Sequence, residues 1–160
     1  VDNAALLALL ESGSPLRVVL DVWEGEPSIN LSLMEKVALA TPHIAGYSVE
    51  GKVRGTEMLA EAFKQLADAN AETLTEQPKT VATLTAETVS ELILASYDVA
   101  EDDLRMRSAL NASSDVAQAF DLLRKQYPER HEFSRYKFSV ETQQAQPELI
   151  AQALKLGFRE

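Results

Sequence analysis

The chain has no cysteine among its 160 residues. That absence excludes disulfides and thiolate nucleophiles, and it fits a reducing, cytoplasmic setting. Histidine is almost as scarce, with two copies, so His43 has one rival as an acid–base group. Glycine occurs six times and never as Gly-x-Gly, so the loop that cradles a dinucleotide pyrophosphate is not in this sequence. Positive charge is short: 15 Lys and Arg stand against 25 Asp and Glu, a net charge of -10. This balance argues against nucleic acid and anionic membranes as partners, because both require clustered cations. A small anionic substrate stays open, since a local basic pocket can sit in an acidic protein. Long apolar runs are missing too; the longest, residues 4–10, is too short to span a bilayer. No signal peptide is visible. The chain starts at Val1 and runs straight into helix, so it is expected to be a piece of a longer protein.

What is present is enough for a core, with 46% hydrophobic residues. Asp2 is placed to cap a helix over Asn3–Glu11, with Gly13 as its stop. Residues 16–20 form a continuous apolar-rich strand, of the type buried on both faces in a parallel sheet. A short helix over Leu31–Lys36 and a short strand over 37–40 follow. Helix, strand, helix, strand is the rhythm of a doubly wound α/β domain. Ser48 then caps a long helix from 49 to about 70, with Val53, Met58, Leu59, Ala62, Phe63 and Leu66 near helical spacing. Gly51 and Gly55 weaken that helix and are expected to mark close approach of another backbone.

The polar stretch 71–79, with Pro78, reads as a linker between a first domain, 1–70, and a second, 80–160. In the second, 80–85 reads as a strand, and 87–97, 100–111 and 114–127 as helices. The last carries Val116, Phe120 and Leu123 on one face. Residues 133–141 alternate, with Tyr136, Phe138 and Val140 on one side and Arg135, Lys137 and Ser139 on the other. A helix over 148–156 ends at Gly157.

The chemistry concentrates in two loops. Leu20-Asp21-Val22-Trp23-Glu24-Gly25-Glu26-Pro27 leaves the first strand, and Thr41-Pro42-His43-Ile44-Ala45-Gly46 leaves the second. An imidazole suits proton transfer near neutral pH, and Glu26 could hydrogen-bond it and fix its tautomer. Asp21 ends the central strand, the edge at which α/β folds bind ligands. The residues alone also allow plainer roles: a surface histidine, Asp21 and Glu26 capping turns, and Trp23 in packing.

Those two loops, with Val1-Asp2-Asn3-Ala4-Ala5-Leu6, resemble the D-isomer-specific 2-hydroxyacid dehydrogenase family. The stretch from His43 through Tyr47 to Lys52, with Arg54-Gly55-Thr56, and the tail after Pro78 are similar to the member of that family with an extra C-terminal dimerisation domain. The resemblance implies that the chain is the C-terminal portion of a doubly wound NAD-binding domain followed by a small α+β dimerisation domain. It implies His43 as the general acid/base and Glu26 as its carboxylate partner. Asp21 and Gly46 would serve the cofactor NAD, and Tyr47 would touch a small phosphorylated 2-hydroxy acid. The assembly would be a homodimer. The family's substrate-holding arginine would lie upstream of Val1, so the chain by itself is expected to be inactive.

A phosphorylated substrate needs cations. The visible ones are Lys52, Arg54, Arg105, Arg107, Arg130, Arg135 and Lys137, and the tail's Arg107 and Arg135 are the ones expected to reach the phosphate. Two other readings stand beside this one. The tail could be an interaction module that buries the Tyr136/Phe138/Val140 face in a symmetric interface. A His43/Glu26 dyad could activate water in a hydrolase, but no serine elbow is present, and His131 lies too far along the chain for metal-ligand spacing.

Overall fold

The computed structural model describes residues 1–67, 79–139 and 147–160. The elements run α1 (Asn3–Glu11), β1 (Val19–Leu20), α2 (Leu31–Lys36), β2 (Leu39–Ala40), α3 (Val49–Ala67), β3 (Ala82–Thr85), α4 (Val89–Ser96), α5 (Val99–Ala112), α6 (Val116–Lys125), a 3-10 turn (Phe133–Arg135), β4 (Tyr136–Ser139) and α7 (Pro147–Leu156). The chain is therefore mixed helix and strand with two small parallel sheets.

Packing divides the described chain into two compact units that are not contiguous in sequence. The first is Val1–Ala45 with Asp98–Pro128; the second is Gly46–Tyr97 with Glu129–Glu160. The expected division into 1–70, 71–79 and 80–160 differs from this at two places. Helix α3 groups with the tail, and α5 and α6 group with the first loops. Amphipathic spacing says that a helix face is buried, not what buries it. The linker expected at 71–79 falls almost wholly outside the described residues.

In the first unit, Asp2 caps α1 by accepting from Ala5 N at 2.9 Å, and Gly13, with φ 87°, follows its end. Strands β1 and β2 pair in parallel, Val19 with Leu39 and Leu20 with Ala40. The strand expected over 16–20 shrinks to two residues, and it is not buried on both faces. Leu16 and Val19 are 56% and 61% exposed, because among the described residues this sheet has two strands only. The core joins Leu20, Trp23, Leu33, Met34, Val37 and Ala40 to Met106, Leu110 and Phe120 from α5 and α6. Val116 and Leu123 pack beside them, the face their spacing indicates.

Polar clamps tie the same elements together. Arg107 donates through Nη1 to Met34 O at 2.5 Å and through Nη2 to Val37 O at 3.1 Å, taking two carbonyls where α2 ends. Its Nε donates to both carboxylate oxygens of Asp103 at 2.9 Å. Asp103 Oδ1 in turn accepts from Ala40 N at 2.7 Å. Buried Asp102 accepts from Tyr127 Oη at 2.6 Å and from Arg105 at 2.5 Å.

In the second unit, β3 and β4 run parallel with Leu84 opposite Phe138. The core holds Ala86, Leu92, Phe138, Leu149, Ala153 and Phe158. Phe133 stacks on Phe158 at 4.6 Å, and Phe138 meets Phe158 edge-on at 6.5 Å. Alternation along β4 is as its sequence indicates: Phe138 is buried, and Lys137 and Ser139 are exposed. This corrects the reading of that face as a subunit interface, because Phe138 is consumed by the unit's own core; Val140 lies outside the described residues. On α3 the apolar stripe stands open, with Leu59, Phe63 and Leu66 at 74%, 68% and 88% exposure.

Candidate active site

In the first unit the two loops meet. Asp21, just past β1, uses its whole carboxylate to shape the loop after β2. Oδ1 accepts from Thr41 Oγ1 and from Ile44 N, both at 2.7 Å, and Oδ2 accepts from Ala45 N at 3.0 Å. The residue in the middle of that bracket, His43, is the one non-glycine residue with positive φ among the described residues, at 56°. A side chain held in the left-handed region costs free energy, and such strain persists where surrounding bonds enforce it. Asp21 supplies those bonds.

The held imidazole places Nδ1 at 2.8 Å from Glu26 Oε2. A carboxylate only accepts, so Nδ1 carries a proton and Nε2 keeps the lone pair that can take another. The other Glu26 oxygen accepts from Trp23 N at 2.7 Å, which fixes the carboxylate. Trp23 is 3% exposed and donates through Nε1 to Thr41 O at 2.9 Å, so it is a packing strut between the two loops. The His43 side chain is 44% exposed and Glu26 16%, an open acid–base group backed by a shielded partner.

Two site residues escaped the sequence reading. Buried Asn3 and exposed Glu24 bond each other reciprocally: Asn3 N donates to Glu24 Oε2 at 2.9 Å, and Glu24 N donates to Asn3 Oδ1 at 3.1 Å. They staple the start of α1 to the acidic loop. No local signal marks a pair 21 residues apart.

Gly46 and Tyr47 belong to the second unit. A Cβ added at Gly46 would meet no atom within 4 Å beyond its two chain neighbours, so the space on that side is open. Lys52 Nζ lies 4.6 Å from the centre of the half-buried Tyr47 ring. Ser48 caps α3 as expected, accepting from Gly51 N at 3.1 Å. An added Cβ at Gly51 would come within 2.7 Å of Ser48 Oγ, a side chain of the helix's own cap; the nearest backbone atom is Gly46 O at 3.4 Å. At Gly55 nothing lies within 4 Å, and the expected close approach fails.

The basic side chains considered for a substrate phosphate all have partners in the chain. Arg107 is the clearest correction, its guanidinium being shared among Asp103 and two carbonyls. Arg135 pairs with Glu50 at 3.2 Å, Arg54 with Glu57 and Glu61, and Arg105 with Asp102. Arg130 lies over the Tyr97 ring at 4.6 Å, and Lys137 donates to Glu160 O at 2.6 Å.

Residues 66–157 match the family of domains described as Domain of unknown function (DUF3410). The chain belongs to the DUF3410 family. The match extends over more than half of the DUF3410 chain and takes in α4 to α7. Three similar curated proteins are each named erythronate-4-phosphate dehydrogenase. The one from Cronobacter sakazakii is 41% identical over 99% of this DUF3410 chain, the one from Saccharophagus degradans 37% over 99%, and the one from Proteus mirabilis 45% over 84%. The chain spans 42%, 43% and 37% of their respective lengths. Among the described residues, no helix of the DUF3410 chain is long and apolar enough to cross a membrane.

In the second unit the Glu50 carboxyl collects three donors: His131 Nδ1 at 3.0 Å, Glu132 N at 3.0 Å and Arg135 Nη1 at 3.2 Å. Burial works to raise its pKa, but the His131 and backbone hydrogen bonds and the charge of His131 outweigh that and hold it below the ordinary carboxylate value. Stability from such a group is present above the unfolded pKa and lost as pH falls through the folded one. Acid unfolding should therefore show a step below about pH 4.3 that Glu50→Gln removes. Denaturant titrations across pH test this; a wild-type-to-variant difference constant down to acid pH would rule it out.

Proposed function

We propose that the chain is the C-terminal part of an erythronate-4-phosphate dehydrogenase. It would act in pyridoxal 5'-phosphate biosynthesis, oxidising 4-phospho-D-erythronate to 2-oxo-3-hydroxy-4-phosphobutanoate with NAD. The observation that carries this is the His43–Glu26 pair at 2.8 Å, presented by a loop bracketed by Asp21. The names of the curated relatives supply the substrate.

In this reading Gly46 and Asp21 serve the nicotinamide end of the cofactor. Gly46 has open space where a side chain would stand, and Asp21 shapes the loop at the strand end where such ligands sit. The chemistry a nicotinamide supplies when bound is acceptance of the C2 hydride. In this reading His43 Nε2 takes the proton of the C2 hydroxyl, and Glu26 holds Nδ1–H so that Nε2 faces the substrate. Tyr47 contacts the substrate. The first unit would then be the closing part of a doubly wound nucleotide-binding domain, with the pyrophosphate loop supplied by sequence outside this chain. The chain by itself would be inactive.

The test is turnover by the whole protein that carries this chain. NAD reduction should follow addition of 4-phospho-D-erythronate and should be far slower with an unphosphorylated 2-hydroxy acid. Equal rates on both would sink the substrate assignment.

We also propose that the whole protein is a homodimer held through the tail. Phe138 packs in the second unit's own core, but Leu94 and Leu154 are 54% and 46% exposed. Deleting 80–160 would be a poor test, since it strips α5 and α6 from the first unit's core. Leu94→Glu with Leu154→Glu spares both cores. The expected result is a folded monomer by sedimentation and circular dichroism; an unchanged dimer would move the interface elsewhere.

A further inference from the structure

The tail reaches back, within the second unit, to the start of α3. Val49 N donates to Arg130 O at 2.9 Å. Ser48 Oγ, on a residue 1% exposed, donates to Glu132 Oε1 while accepting from Gly51 N. Glu132 answers with its own backbone, N donating to Glu50 Oε2 at 3.0 Å. His131 Nδ1 lies 3.0 Å from the other Glu50 oxygen, and its Nε2 lies 2.8 Å from Glu129. The first turn of a helix has amides with no partner inside the helix. Here the tail serves the Val49 amide and the Ser48 cap the Gly51 amide, and the bonds to the tail cross more than 80 residues of sequence. Tyr47 is the next residue toward the N-terminus from this knot.

We infer that Glu132 is a positioning residue: through Ser48 it fixes the backbone from which Tyr47 projects, and so sets the affinity for substrate without touching it. The inference rests on the dehydrogenase reading, in which Tyr47 contacts the substrate. The physical reason is that ordering a loop costs conformational entropy at binding unless the free protein has already ordered it. A part-buried, charge-assisted hydroxyl–carboxylate bond is among the stronger ways to hold it. Gly51 is part of the same device. Any side chain there would push Ser48 Oγ away from the geometry in which it serves both the helix and Glu132.

The experiment compares Glu132→Ala and Glu132→Gln in the whole protein by two readouts. Amide hydrogen exchange of residues 47–51 reports the fastening, whatever the protein catalyses. Steady-state kinetics report its use. For Glu132→Ala, exchange at 47–51 should speed up, and KM for 4-phospho-D-erythronate should rise about ten-fold, with kcat within about three-fold and nucleotide affinity unchanged. Glu132→Gln, which keeps an acceptor for Ser48, should restore both. Ser48→Gly, tolerated at a helix N-cap, asks the same question if Glu132→Ala does not fold. Faster exchange with an unmoved KM overturns the positioning role, as does unmoved exchange, or a kcat loss equal to that in KM. A wild-type protein with no turnover removes the dehydrogenase reading, and this inference with it; the exchange data would still show whether the tail fastens the helix.

Discussion

Replacing His43 with asparagine should lower kcat of the whole protein by about 10²–10⁴-fold, the usual contribution of a positioned general base. Nucleotide affinity should stay within about two-fold. The geometry gives the reason. The ring is held in the left-handed backbone region by three bonds to Asp21, and its Nδ1 proton is fixed by Glu26. Asparagine tolerates that backbone conformation better than most residues, so the loop should keep its shape while losing the proton acceptor. Loss of activity in this variant is therefore chemical and not structural. Transient kinetics with C2-deuterated substrate would add a second check, since proton removal and hydride departure belong to the same step or to adjacent ones. A variant with kcat within a few-fold of wild type would take His43 out of the site.

Arg107→Ala should destabilise the first unit by about 3 kcal/mol. The substitution strands two carbonyls where α2 ends and leaves Asp103 without its counterion, while that carboxylate still faces the Ala40 amide. Lysine keeps the charge but cannot bond Asp103, Met34 O and Val37 O together, so Arg107→Lys should recover less than half of the loss. Lys125→Ala, which removes an exposed pair at 3.6 Å with Asp121, should change stability by under about 1 kcal/mol. Denaturant unfolding measures all three. An Arg107→Ala protein as stable as wild type would mean that this clamp is incidental, and the arginine would again be free to serve a ligand.

The helices were legible because their starts are written locally. Asp2 and Ser48 each accept a backbone hydrogen bond from the residue three positions on. The His43–Glu26 pairing was legible from residue types on consecutive strand-end loops. The strand over 16–20 is shorter than its apolar run suggests, because such a run promises burial only if neighbouring strands exist, and among the described residues only β2 lies beside it. Asp21 was read for its place at a strand end, but its carboxylate is saturated by Thr41, Ile44 and Ala45, an arrangement that depends on the path of a loop some 20 residues away. The Asn3–Glu24 staple, and the return of α5 and α6 to the first core, have no local signature. Phe120 reads as a core residue in either unit; only packing shows which core it fills.

Leu20, Leu33 and Met34 leave the ribosome well before Met106, Leu110 and Phe120, the side chains that cover them. At about 5–20 residues per second, the wait is on the order of ten seconds. During it the nascent chain carries an unfinished apolar surface and a His43 loop with no completed core beneath it. Synthesis from β2 through α6 thus sets the earliest moment at which the acid–base pair can rest on finished packing. A pause in translation before α6 would lengthen the exposure, and chaperone occupancy on stalled chains should fall sharply once α6 has emerged.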